Sequence, residues 1–218
     1  MTPAIWKLIG ESTLQTLSMV FFSTLFSVIL GLPLGILLCV TAPGGIRQKP
    51  VLNEVLSRIV NVLRSFPFII LIIILFPLSR LVVGTAIGTK ATIVPLSIAA
   101  APFVARIVES SLKEVDPGVV QASRAMGSTN TQIVFKVLLP EALPSLISGL
   151  TLTIINLIGY SAMAGAVGGG GLGDLAIRYG YQRFRPAVMA IAVVIILVLV
   201  EVIQFIGNKI SAKMMGRR

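Results

Sequence analysis

The sequence predicts an all-α membrane protein of about five transmembrane helices, and three observations predict it. Of 218 residues, 56% are hydrophobic and only 12% are charged, about half the charged fraction of an ordinary soluble domain. The runs Ser12 to Ile46 and Ala142 to Gly173 hold no charge at all. Each exceeds the roughly 20 residues that cross a hydrocarbon core of about 30 Å. The basic residues border the apolar runs instead of forming a stripe with aromatics, so the net charge of +10 marks topology and not a nucleic-acid surface.

Five spans follow in order: Thr13–Cys39, Ile59–Leu78, Ala91–Ile107, Leu143–Val167 and Ala187–Ile206. The first and fourth rest on the two charge-free runs. The other three have shorter charge-free cores, Ser65–Ser79, Ala91–Ala105 and Pro186–Val200, and must hold Arg64, Arg106 and Glu201 near a membrane boundary. The whole chain, 1–218, reads as one membrane domain with its core at about 13–206. The apolar stretch at the N-terminus is too long for the h-region of a cleavable signal, and the first span is expected to stay as an anchor.

An odd number of spans puts the termini on opposite sides. With the N-terminus outside, the 18 Lys and Arg divide twelve inside to six outside. The positive-inside rule therefore predicts N-out and C-in, which makes the polar connection 109–140 cytoplasmic.

Glycine and proline interrupt the spans at Gly31–Gly35, at Phe66-Pro67, and at Pro95 and Pro102. Proline removes a backbone donor, tolerated in lipid only where neighbours or a cavity satisfy the backbone. Small residues at four-residue spacing, Ser161, Gly165 and Gly169, allow close helix packing. Bundle packing and a moving or pore-lining role both account for these features.

The connection 109–140 is the informative stretch. Asp116 is a good N-cap with Pro117 at the first helical position, and Gly127 is a good stop. Thr129 and Gln132 make a capping box for a second helix, which Pro140 follows. The expected shape is a helix–Gly–helix elbow showing Gln121, Ser123 and Thr131, with Val119, Val120, Met126, Ile133 and Val134 beside them. Such an elbow can dock into a groove on a soluble partner or lie on the membrane surface.

Several familiar constellations are missing. With no histidine and one cysteine, Cys39, neither a His/Cys metal site nor an internal disulfide is available. Gly168, Gly170 and Gly173 fit G-x-G-x-x-G, yet no strand precedes them and no acid stands about 20 residues on. They are expected to form a flexible external elbow. Gly84 to Lys90 lacks P-loop spacing, so no ATP site is recognisable and any such energy must come from another polypeptide.

Gln121-Ala122-Ser123, then Gly127, then Val137-Leu138-Leu139-Pro140 is similar to the E-A-A-x3-G-x9-I-x-L-P loop of ABC importer permeases. The departures are Gln121 for the glutamate, Ser123 for an alanine and Val137 for isoleucine. The segments Val62–Phe68, Ala101–Glu109, Ser123–Gly127, Lys136–Pro144 and Gly159–Gly168 resemble the methionine-import subgroup, and the likeness covers nearly the whole chain. The resemblance implies a type I ABC importer permease fold in a bacterial inner membrane. It implies that Gln121, Ala122, Ser123, Ala125, Met126, Gly127, Ser128 and Thr129 couple to an ATPase subunit. It further implies a homodimer on two such subunits, which bind ATP and Mg, and an external lipoprotein that delivers methionine. Cystine or another amino acid in the same architecture is the alternative. A self-contained channel or carrier would show paired mid-membrane acids or repeated halves, which are missing.

Two further expectations concern the spans. Asn156, Tyr160, Ser161 and Met163 mark the fourth span as the wall of a substrate path, with Met163 beside Tyr160, or else as packing glue. Arg64 and Glu201, the charges set furthest into spans, either pair across spans or a dimer interface, or snorkel to the headgroups.

Overall fold

The computed structural model describes residues 3–215, and among them there are helices and connecting turns but no strand. Four segments are long and apolar enough to cross a membrane. They are α1 (Pro3–Thr41), α5 (Thr89–Lys113), the continuous run Asn130–Gly165, and α10 (Pro186–Met215). The first, third and fifth expected spans each lie inside one of these, and the fourth, Leu143–Val167, runs two residues past the end of its helix at Gly165.

The second expected span, Ile59–Leu78, is not one helix. It is divided among α2 (Pro50–Ser65), α3 (Phe68–Ile74) and α4 (Phe76–Val83), and the chain turns by 99° between α2 and α3. Pro67 is the cause: it sits extended at φ −62°, ψ 124° as the N-cap of α3, and a proline pushes its predecessor out of the helical region. With α2 and α3 counted as one bent span, the total reaches five.

The other prolines do not break their spans. Pro33 lies inside unbroken α1, and Pro95 and Pro102 lie inside unbroken α5. The glycines flanking Pro33 have a packing role. A β-carbon on Gly31 would stand 2.6 Å from the Ala101 carbonyl oxygen, and one on Gly35 would stand 2.5 Å from that of Ala105. The pair forms the notch in which α5 lies against α1, the close approach that small residues permit in membranes.

The contacts gather into two compact units, and α1, α5, α8 and α10 each give a segment to both. One unit comprises the chain up to Ser27, Phe66–Ala100 and Thr153–Gln204. Met19, Phe68, Ile72, Leu96, Leu157 and Ala164 fill its main core, and Ile9, Leu172, Leu175 and Val188 fill a second. The other comprises Val28–Ser65, Ala101–Leu152 and the chain from Phe205 on. Val104, Val108, Leu112, Ile133, Val134 and Leu138 make its core, with Leu38, Val60 and Ala105 as a smaller cluster.

The glycine-rich segment after α8 is pinned and not a loose elbow. The Gly171 N–H donates to Gln15 Oε1 at 2.9 Å, the Leu172 N–H donates to Thr16 Oγ1 at 2.9 Å, and the Gly88 N–H donates to the Gly168 carbonyl at 3.0 Å. Gly165 and Gly173 bring two backbones into direct contact. The glycines are there because no side chain fits.

Candidate functional site: the 109–140 elbow

The elbow forms through the caps its residues supply. Asp116 Oδ1 accepts the Gly118 N–H at 2.7 Å and starts α6 (Pro117–Ala125) with Pro117 in its first turn. Gly127 ends it at φ +82°, where an L side chain is strained. The Gly127 N–H reaches the Arg124 carbonyl at 2.9 Å and the Ser128 N–H reaches that of Ser123 at 3.1 Å, the paired bonds of a Schellman stop. The Thr129 N–H then donates to Gln132 Oε1 at 2.8 Å, and Thr129 Oγ1 accepts the Gln132 N–H at 3.3 Å. This closes the expected capping box at the head of α7 (Asn130–Ile133).

Pro140 does not end the second arm. α7 passes into one wide turn, Val134–Leu138, and then into α8 (Leu139–Gly165) without a break. In that turn the Leu139 N–H bonds to the Val134 carbonyl, five residues back. A wide turn just before a proline provides the room that its ring otherwise takes from the preceding carbonyl. The elbow's second arm is therefore the start of a spanning helix.

Burial separates the elbow's residues into two faces. Gln121, Ala122, Ala125, Met126, Gly127 and Thr129 are exposed, Ser128 is half-buried, and Thr131 is exposed. Met126 stands 78% exposed. Ser123, expected on the outer face, is 5% exposed, and its hydroxyl donates to the Val119 carbonyl at 2.9 Å. Ile133 and Val134, expected beside the exposed set, are buried in the core with Leu112 and Leu138. The helical period puts Ser123 on the inner side of α6 with half-buried Val120, so a small residue suits that position.

One anchor holds the elbow and a second ties the helix leading into it to α2, and neither was anticipated from the sequence. The first is Arg124, whose Nη2 donates to the Ile46 carbonyl at 2.8 Å. A cavity of about 290 Å³ opens there, lined by Ala42, Gly45, Lys113, Val120 and Gln121 among others. The second is a charged knot on α5. Glu109 accepts from Arg106 at 2.6 Å and from Lys113 at 2.7 Å, and Arg106 Nη2 also reaches the Ser57 carbonyl and Asn61 Oδ1 on α2. The i, i+3, i+7 spacing of Arg106, Glu109 and Lys113 was the available signal, since residues three and four apart share a helix face.

The structure separates the four residues proposed for a path. Asn156 and Met163 are exposed on α8, in line with exposed Gly159 and Ala166. Tyr160 is half-buried and stacks on Phe68 at 4.6 Å between ring centroids. Ser161 is buried, and its hydroxyl donates to the Ile158 carbonyl at 2.7 Å. Among the described residues neither Arg64 nor Glu201 enters an ion pair within the chain. Arg64 holds its guanidinium 5.6 Å from the Phe103 ring centre.

Comparison with known proteins agrees with this architecture. The chain is 53% identical over 213 residues to the "Probable D-methionine transport system permease protein MetI" of Pasteurella multocida, covering 98% of each. It is 52% identical over 163 residues to the D-methionine transport system permease protein MetI of Escherichia coli (strain K12), covering 75% of each. A chain in the solved inward-facing conformation of the MetNI methionine ABC transporter superposes with a TM-score of 0.96. The two are 48% identical, over 98% of this chain and 99% of that one. An amino acid ABC transporter solved with histidines shares the fold, with a TM-score of 0.72 at 21% identity over 97% of this chain and 94% of that one. The family model for the binding-protein-dependent transport system inner membrane component matches residues 31–216. With an all-helical multi-span fold and that match over most of its length, the chain belongs to the family of binding-protein-dependent transport system inner membrane components.

Proposed function

We propose that this chain is the permease subunit of an ATP-driven importer that carries methionine, in its D- and L-forms, into the cytoplasm by alternating access. The observation that carries the reading is the elbow: both arms are capped and anchored, and an exposed patch from Gln121 to Thr129 is left between them. The relatives' names supply the solute. ATP and Mg are held by a separate ATPase subunit, two copies of which seat on a permease homodimer, and an external lipoprotein delivers the solute. The N-terminus faces outward and the C-terminus lies in the cytoplasm, with 109–140 on the same side.

In this mechanism the motor presses on the patch formed by Gln121, Ala122, Ala125, Met126, Gly127, Ser128 and Thr129. Ser123 supports the patch from within. The second arm continues as α8, so the push enters a spanning helix directly. Asn156 and Met163, exposed on α8, are the wall of the path, and Tyr160 and Ser161 set that wall from behind. Gating requires that nucleotide and solute each favour one of the two states energetically.

The test is to co-express the chain with its candidate ATPase and load the purified assembly into vesicles with the binding protein. ATP-dependent accumulation of labelled methionine, unaffected by excess cystine, is the expected result. Uptake that needs no ATPase, or that follows cystine instead, overturns the reading.

A further inference from the structure

Beside the elbow, serine hydroxyls from three helices line one cavity of about 300 Å³. Ser110 comes from α5, Ser145 and Ser148 from α8, and Ser211 from α10, all within the same compact unit. Glu114, just past the end of α5, lines it as well, and Ile107 and Met215 supply apolar wall. Neither Lys nor Arg stands among the described residues that line it. Glu114 enters no ion pair among the described residues. In a chain of net charge +10 this cavity holds a carboxylate without a counter-ion.

The hydrogen bonds fix where three of the hydroxyl protons go. Ser211, only 4% exposed, donates from Oγ to the Pro144 carbonyl at 3.1 Å, because a carbonyl only accepts. Ser148 Oγ must then be the donor in its 2.9 Å bond to Ser211 Oγ. Ser145 Oγ donates to Glu114 Oε2 at 2.5 Å, because an ionised carboxylate has no proton to give. All three protons are committed inside the protein, and the oxygens keep only lone pairs for an occupant. The cavity offers acceptors and one negative charge, so the ligand that matches it brings N–H donors and a positive charge.

We propose that this cavity binds a primary ammonium group, with Glu114 as its counter-ion and the oxygens of Ser145 and Ser148 as further acceptors. A primary ammonium carries three N–H donors for these acceptors, whereas a quaternary ammonium carries none. A hard divalent cation fits less well, since it takes about six oxygens, several of them charged or from water, and Glu114 is the one carboxylate lining the cavity. Ile107 and Met215 suit a carbon chain attached to the nitrogen. That nitrogen belongs either to a free amino acid or to an ethanolamine lipid headgroup, which present the same group to Glu114. The site is built from this chain alone and is tested by binding, so its failure leaves the transport reading intact.

The experiment uses the full chain in phosphatidylcholine nanodiscs, with the buried thiol removed by Cys39→Ala and a reporter placed on the exposed lining residue by Ser110→Cys. The rate of alkylation by iodoacetamide reads occupancy. Methionine added to the solution, or phosphatidylethanolamine exchanged into the bilayer, is expected to slow the reaction about tenfold once it exceeds its dissociation constant about tenfold. Protection by methionine in pure phosphatidylcholine assigns a free amino acid, and protection by phosphatidylethanolamine alone assigns the headgroup. Choline and phosphatidylcholine give no protection. Glu114→Gln abolishes the effect while its unprotected rate matches the parent's, which shows an intact fold, and Glu141→Gln, outside the cavity lining, keeps it. Absence of protection by both amines, equal protection by choline, or protection that survives Glu114→Gln overturns the proposal.

Discussion

At Gly127 a single backbone angle carries the elbow's shape. The position sits at φ +82° with nothing within 4 Å of a would-be β-carbon, so substitution is opposed by backbone strain of about 1–2 kcal/mol and by no steric clash. Gly127→Val is therefore expected to leave the protein in the membrane and bound to its ATPase while uptake falls about tenfold, with hydrolysis continuing, since 1.4 kcal/mol is a factor of ten. Parallel assays of ATP turnover and methionine accumulation check it; undiminished uptake removes the elbow from the coupling route. Glu109 is a different case. Its side chain is 7% exposed and holds both Arg106 and Lys113, and loss of one member of a buried ion pair costs about 3–5 kcal/mol. Glu109→Gln should lower the thermal midpoint of the detergent-solubilised protein by more than Glu54→Gln, whose pair with Arg58 lies on the surface. The sequence made the local features at this scale readable: Asp116, Gly127 and the Thr129–Gln132 box each depend on neighbours within a few residues. The side on which Ser123 lies was not readable, because packing against distant residues decides it.

Among the elements, proline shows why sequence punctuation misleads in a membrane. Pro33, Pro95 and Pro102 remain inside continuous helices, and Pro140 is absorbed by a wide turn, whereas Pro67 divides a span and Pro77 stands in the first turn of α4 after a second interruption at Leu75. In water a freed carbonyl finds solvent and the helix ends cheaply, whereas in lipid the backbone keeps every bond it can. Close packing also holds α1 and α5 together through the notch at Gly31 and Gly35. Gly35→Leu is expected to push the helices apart and abolish stable expression, whereas Gly10→Leu, which meets nothing within 4 Å, leaves expression unchanged. Fluorescence-detected size-exclusion chromatography of tagged variants distinguishes the two. The four long apolar spans were legible from their charge-free cores. The break after Ser65 was visible as Phe66-Pro67, but nothing nearby marked that proline as one that divides its span.

For the whole molecule, the division of basic residues is the feature that predicts orientation, and it gives a simple expectation. Met126, on the elbow and highly exposed, should be reached from the cytoplasmic side only. Met126→Cys in the Cys39→Ala background is expected to react with a membrane-impermeant maleimide after the inner face is opened, and not in intact cells; labelling of intact cells reverses the topology. The family, the number of spans and the elbow could all be inferred from residues close together in sequence. The two-unit organisation and the fastening of the glycine-rich segment could not, because their partners are far apart along the chain.

That fastening bears on how the protein is made. The bonds from Gly171 and Leu172 join residues 156 positions away, Gln15 and Thr16. The first helix thus enters the membrane long before its partners exist, and these bonds close only after about three-quarters of the chain has been synthesised. Contacts of such separation form late and leave intermediates exposed meanwhile. A nascent chain arrested before Gly171 leaves Gln15 and Thr16 without these donors, open to quality-control proteases. One released a few residues later can fasten its two ends, so survival in the cell should rise sharply across that boundary.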